Sequence, residues 1–139
     1  MGKYRIPSKN SKYYLPKEDY LAAVHYALRY PSLLEELNTI ANADTAQAIT
    51  YDKDKVDSSN LSDSTAKIAI LRTELMEKIE KITSSVKEST NSDEEEKYLR
   101  KHVCYGFGFW QLKNMGMKAT EYRFSNMRQY FYYVLAKKI

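Results

Sequence analysis

The sequence predicts an all-α fold, a small helical domain of about five to six helices ending in a helix-turn-helix. Three observations predict it. Only four glycines and three prolines interrupt 139 residues, too few for a turn-rich β architecture. Ile68, Leu71, Leu75, Ile79, Ile82 and Val86 recur at close to 3.6-residue spacing through the middle of the chain. Ser92 stands three residues before Glu95 in STNSDEEEKYL, the spacing of a capping box, and Asp93 to Glu96 place negative charge where a helix dipole is positive. The length fits one compact domain. Its parts are a basic flexible arm (1–16), N-terminal helices with an acidic loop and a long amphipathic helix (17–90), and a helix-turn-helix part (91–139).

The elements follow in order. The first sixteen residues are basic, polar and dotted with tyrosine, and Pro7 and Pro16 favour an extended arm. From Lys17, Tyr20, Leu21, Val24, Ala27 and Leu28 fall at helical spacing, with Pro16 suited to the first turn. Pro31 breaks this helix, and PSLLEELNTI restarts as a short second one. Asn42 to Leu61 lacks periodicity and is rich in Asp, Ser and Asn, so it reads as a long loop. The apolar stripe then predicts a helix over Asp63 to Glu88, packed within its own domain or, alternatively, zipped to a second copy through Ile68 to Val86. The capped helix runs to about Tyr105, buries Tyr98, Leu99, His102 and Val103, and is closed by the glycines of GFG, Gly106 to Gly108. A helix of about two turns carries Phe109, Trp110, Leu112 and Met115 and stops at Gly116. The last runs from Ala119 to about Lys138 on a stripe of Phe124, Met127, Phe131, Val134 and Leu135.

Charge is segregated along the chain. Met1 to Lys17 has five Lys/Arg and no acid, Glu18 to Glu96 has eight bases against seventeen acids, and Lys97 to Ile139 has nine bases against Glu121 alone. Basic ends attract polyanions, while an acidic middle does not. No stretch approaches the ~20 consecutive apolar residues of a membrane span, and MGKYRIPSKNSKYYLPK lacks the apolar core of a signal peptide. A single cysteine, Cys104, excludes an internal disulfide framework. The expectation is a cytoplasmic protein without a membrane partner.

Catalytic and metal chemistry finds little footing. His102 and Cys104, two apart on a helix, point in different directions, and no CxxC or HxxxH spacing exists. GFG lacks a following Lys-Ser/Thr and follows a helix where a phosphate loop follows a strand. An enzyme would need a polar pocket around Cys104, His102 and Tyr105; the reading is no enzyme, no metal and no cofactor.

What remains is the end of the chain. A short helix, a glycine turn and a longer helix match the helix-turn-helix pattern, whose last helix enters the DNA major groove. Thr120, Glu121, Ser125 and Arg128 on the early exposed positions of the last helix are types able to touch base edges, and Gln129 is left for solvent or for DNA. Lys113, Lys118, Arg123, Lys137 and Lys138 would serve phosphates. Tyr122, Tyr130, Phe131, Tyr132 and Tyr133 could instead stack single-stranded bases, although at helical spacing core packing accounts better for most of them.

The order YYLPKEDYLAAVHYALRYP, the Ser62 to Lys67 opening of the central helix, and above all YGFGFWQLKNMGMK followed by RQYFYYVLAKKI resemble the phage-borne ArpU and RinA type of transcriptional regulators of Firmicutes. The C-terminal part of that family is similar to the DNA-binding region four of sigma factors. The resemblance implies a sequence-specific regulator of phage or prophage genes, with RNA polymerase as a further possible partner. It assigns Phe109 to Met115 as supporting helix, Gly116 as turn and Thr120 to Gln129 as recognition helix. Met127, Gln129 and Tyr130 stand where that family is richer in arginine, and Glu121 adds a negative charge. The alternative is a non-enzymatic phage adaptor that contacts RNA polymerase or a packaging component through the acidic middle and the Ile68 to Val86 stripe.

Overall fold

In the computed structural model the backbone is described for residues 7–54 and 58–139, and the side chains for 7–42 and 65–139. Six helices and no strand occur among the described residues: α1 (Lys17–Leu28), α2 (Tyr30–Asp54), α3 (Ser58–Ser89), α4 (Asp93–Tyr105), α5 (Phe109–Asn114) and α6 (Glu121–Lys138). The all-α fold expected from the scarcity of helix breakers is the fold observed. Two compact units divide it, one holding the chain up to Pro31 together with Lys81–Ile139, the other holding Ser32–Glu80. The boundary read from sequence at 90/91 falls inside the first unit.

The second unit corrects the sequence reading. Asn42 to Leu61, expected as a loop, is helical to Asp54 and again from Ser58, while 55–57 lie outside the described residues. Ala41, Ala43, Ala46 and Ala48 give this stretch high helix propensity without an apolar stripe, and propensity prevails where periodicity is silent. The break expected at Pro31 is present: α1 ends at Leu28 and α2 begins at Tyr30, with Pro31 in its first turn, where its missing N–H leaves no bond unmade. Along α3 Leu75 is buried, but Ile70, Leu71 and Met76 are exposed.

The first unit carries the larger described core. Tyr20, Ala23, Val24 and Ala27 of α1 are buried with Ile82 and Val86 of α3, Leu99, Val103 and Cys104 of α4, Leu112 of α5, and Phe124, Met127, Phe131, Tyr132 and Leu135 of α6. α1 packs chiefly on α6 and also on α4, and Ala23 and Ala27 are small enough to bring those backbones close. Tyr20 meets Tyr132 edge-on with ring centroids 5.2 Å apart, a favoured aromatic arrangement. Sequence reasoning assigned Val134 to this core and left Tyr132 outside. Val134 is half-buried and Tyr132 is buried.

The N-terminal arm is partly corrected as well. Residues 1–6 lie outside the description, but Pro7 and Leu15 are buried and Tyr13 rests on Tyr130 and Tyr133 of α6, at 5.1 and 5.8 Å between ring centroids. A turn with Ser11 N–H bonded to the Ser8 carbonyl at 2.9 Å shapes this segment. From Pro7 onward it is a packed strap.

Candidate nucleic-acid interface

The caps that fix α4, α5 and α6 set the geometry of the site. Ser92 accepts the Glu95 N–H at 3.2 Å, as the capping box requires, while the Glu95 carboxylate reaches past Ser92 to accept the Asn91 N–H at 2.7 Å. α4 ends at Gly106, in the left-handed region at φ 79°, whose N–H bonds the His102 carbonyl at 3.0 Å. After six residues α5 closes in a Schellman arrangement: Met117 N–H bonds the Leu112 carbonyl at 3.0 Å and Gly116 N–H the Lys113 carbonyl at 3.0 Å. Gly116 has φ 109°, a conformation that L side chains rarely adopt, so glycine is required at the turn. Leu112 and Met117, the two ends of this closure, are both buried.

Thr120 caps α6, its hydroxyl accepting the Arg123 N–H at 3.1 Å. The helix itself begins at Glu121, two residues after the start expected at Ala119. Glu121 in the first turn complements the helix dipole.

Each remaining predicted site residue has a place. Arg123 forms a two-pronged pair with Glu95, Nε to Oε2 at 3.0 Å and Nη2 to Oε1 at 2.9 Å. Its hydrogen bonds hold the Glu95 carboxyl below the usual range, and Glu95 in turn raises the Arg123 guanidinium. Arg128 turns inward, its Nη1 donating to the hydroxyl of buried Tyr20 at 2.8 Å. Lys113 Nζ donates to the Ala119 carbonyl at 3.2 Å and bridges the turn. Lys137 Nζ donates to the Tyr133 hydroxyl at 2.8 Å and sits over its ring. Lys138 bonds Ser84 at 2.8 Å and pairs with Glu88, which ties the end of α6 to α3. Gln129 donates to Ser125 at 3.2 Å, and Lys118 is exposed.

Most of the cations expected to meet DNA are thus engaged within the protein. What does share a face is the stripe Tyr122, Ser125, Asn126 and Gln129, spaced three and four apart on the first half of α6 opposite Phe124, Met127 and Phe131. Tyr122 is 80% exposed, and Trp110 on α5 is 69% exposed although the sequence placed it on an apolar face. Phe109 takes the inward position instead, 5.5 Å from Phe124 between ring centroids. Asn126 and Tyr122 were not singled out as groove readers from sequence. The helical spacing from Ser125 and Gln129 was the signal that could have found them. Phe131 and Tyr132 are buried, so the five aromatics of α6 do not form a stacking platform.

Cys104 belongs to the core and His102 is half-buried beside it. The His102 Nδ1 lies 2.6 Å from the Phe107 carbonyl, which can only accept, so Nδ1 carries the proton. Burial lowers its pKa, against the Phe107 bond that raises it. Burial pushes the Cys104 thiol up to about 12, and a thiol that is protonated at neutral pH is a poor nucleophile. No group of three or more His, Cys, Asp or Glu able to hold a metal occurs among the described residues, and no described helix is long and apolar enough to cross a membrane.

No protein-family model, curated protein or solved structure matches this chain.

Proposed function

We propose that this chain is a sequence-specific DNA-binding regulator of transcription, acting on phage or prophage genes, with the first half of α6 in the major groove. The observation that carries the reading is the stripe Tyr122, Ser125, Asn126 and Gln129, presented by a helix that follows a six-residue α5 and a glycine turn. Asn and Gln carboxamides can each pair with both major-groove groups of adenine, and Ser can donate or accept. The resemblance of YGFGFWQLKNMGMK and the closing RQYFYYVLAKKI to the ArpU and RinA type supports the phage context and makes RNA polymerase a candidate partner.

The phosphate contacts differ from those the sequence suggested. Lys118, exposed beside the turn, takes that role with Lys113 and Lys137, while Arg123 and Arg128 serve neighbouring helices. Selection of duplexes from a random pool, followed by fluorescence polarisation at two salt concentrations, tests the reading. The expected result is a recovered motif bound at micromolar Kd or tighter at low salt and weakened at least threefold by Asn126→Ala or Gln129→Ala. A protein that recovers no motif and binds no duplex at low salt does not have this function.

A second reading, a protein-interaction adaptor, is favoured by Trp110 and by Met115, which is 44% exposed, because aromatic residues and methionine are enriched in interfaces. A partner captured by the wild type and lost with Trp110→Ala, in a protein indifferent to DNA, would select it. Leu71, 45% exposed on α3, leaves the alternative of a homodimer seam as a third contact, to be tested by light scattering.

A further inference from the structure

The geometry points to Glu95 as an internal stand-in for a DNA phosphate, a carboxylate that occupies the guanidinium of Arg123 and thereby sets the affinity and salt dependence of the recognition helix. This inference rests on the DNA-binding reading above. Both oxygens of Glu95 accept from Arg123, at 3.0 and 2.9 Å, the two-pronged geometry a guanidinium uses with a phosphate. Glu95 is not free to swing away, because Oε1 also accepts the Asn91 N–H at 2.7 Å in the cap of α4. The pair joins the first turn of α4 to the first turn of α6, and Tyr122, the most exposed of the large hydrophobic side chains described, is the neighbour of Arg123. Side-chain exposures of 37% for Arg123 and 21% for Glu95 keep the pair at the surface, within reach of a backbone oxygen.

The contact is not needed to hold α4 against α6. His102 and Phe124 meet edge-on at 5.1 Å between ring centroids, and Leu99, Phe124 and Met127 are buried. A partly exposed ion pair adds little beside such packing. Its larger consequence is electrostatic, since it cancels one of the two arginine charges on α6. Asp93, Glu94 and Glu96 crowd the same helix start and add to the repulsion a phosphate must overcome.

Glu95→Gln tests the inference with the least disturbance, because the amide oxygen still accepts from Asn91 or Arg123 while the charge is gone. Fluorescence polarisation on the selected duplex is read across salt for the wild type, Glu95→Gln, Arg123→Ala and the double variant, with thermal melts of each. The expected outcome is tighter binding by Glu95→Gln at low salt and a salt slope steeper by about 0.9, one more phosphate engaged, so that a fourfold rise in salt costs it roughly 3.5-fold more affinity than it costs the wild type. In the Arg123→Ala background the gain disappears. A folded Glu95→Gln protein with unchanged or weaker binding overturns the inference and leaves the DNA reading standing; failure of every protein to bind any duplex overturns both. The NMR signal of the Arg123 Nε–H gives a readout besides affinity. On duplex addition it moves in Glu95→Gln, where phosphate takes the guanidinium, and stays in the wild type, where Glu95 holds it; a signal that behaves alike in both proteins overturns the inference.

Discussion

Arg128→Ala separates a structural arginine from a DNA-contacting one. Arg128 Nη1 donates at 2.8 Å to the hydroxyl of Tyr20, a residue 1% exposed whose ring also packs on Tyr132. Removing the guanidinium deletes a charge-assisted hydrogen bond worth ~1.5–3 kcal/mol and leaves a buried hydroxyl with one partner fewer. Arg128 is half-buried, so solvent screening brings the expected cost to the lower end, about 1.5 kcal/mol. For 139 residues, an unfolding entropy of roughly 2.1 cal/mol/K per residue comes to about 0.3 kcal/mol/K, which converts that cost into a Tm lowered by about 5 °C.

Thermal melts by far-UV circular dichroism measure the shift, and a double-mutant cycle with Tyr20→Phe isolates the pair. The two single changes remove the same bond, so the double variant should fall short of their sum by about 1 kcal/mol. Duplex affinity, measured on the same samples, should change less than threefold while the protein stays folded. A Tm within about 1 °C of wild type with affinity down tenfold refutes the reasoning, for it makes Arg128 a phosphate contact and its bond to Tyr20 incidental.

Other outcomes follow from the same geometry. Gly116→Ala should cost about 1–2 kcal/mol by urea denaturation, because φ 109° strains any side chain and the new Cβ would stand 3.4 Å from the Tyr98 hydroxyl. Stability should fall with acid from about pH 6.5 downward, because unfolded His102 takes up a proton there while folded His102, its pKa lowered, does not; His102→Gln should flatten that decline. At the alkaline end the sign reverses. The unfolded Cys104 thiol ionises near 9 and the folded one only at about 12, so stability is full below pH 9 and is lost towards 12 at up to ~1.4 kcal/mol per pH unit, a slope that Cys104→Ala should reduce. Trp110→Ala should leave stability within about 0.5 kcal/mol of wild type, since the side chain is 69% exposed, and any larger effect must appear in binding.

The caps and turns of this fold were legible because they are local. Ser92 with Glu95, Gly106 and Gly116 act over three to five residues, and each stands where the sequence put a boundary. The continuation of α2 was not, because an alanine-rich helix has no stripe and periodicity alone reads it as a loop. The arginines of α6 show a different limit. Arg123 and Arg128 flank the apolar stripe of Phe124, Met127 and Phe131, at positions where a long side chain can reach either solvent or a neighbouring helix. Their partners decide the matter, and Glu95 and Tyr20 lie 28 and 108 residues away along the chain. Helical spacing does not register contacts of that kind. Asn126 shows the reverse case, a residue whose place beside Ser125 and Gln129 was available from spacing but was overshadowed by the search for positive charge.

That search also misplaces the source of affinity. The last forty-three residues hold nine bases, yet Arg123 and Lys138 are paired with acids, Arg128 bonds Tyr20, and Lys113 and Lys137 are bonded within their own helix or turn. A recognition helix in this condition gains little from counterion release. With the three phosphate contacts of Lys113, Lys118 and Lys137, the slope of log affinity against log salt is near −2.7, and affinity falls about fortyfold between 50 and 200 mM. Non-specific binding, which is almost wholly electrostatic, should then be weak at every salt concentration, while the neutral contacts of Ser125, Asn126 and Gln129 persist. A selected duplex and its scrambled counterpart, titrated across that range, should differ by a ratio that stays nearly constant. A ratio that collapses at low salt, with a slope of −5 or steeper, would place the binding energy back on the cations and remove the stripe on α6 from the centre of recognition.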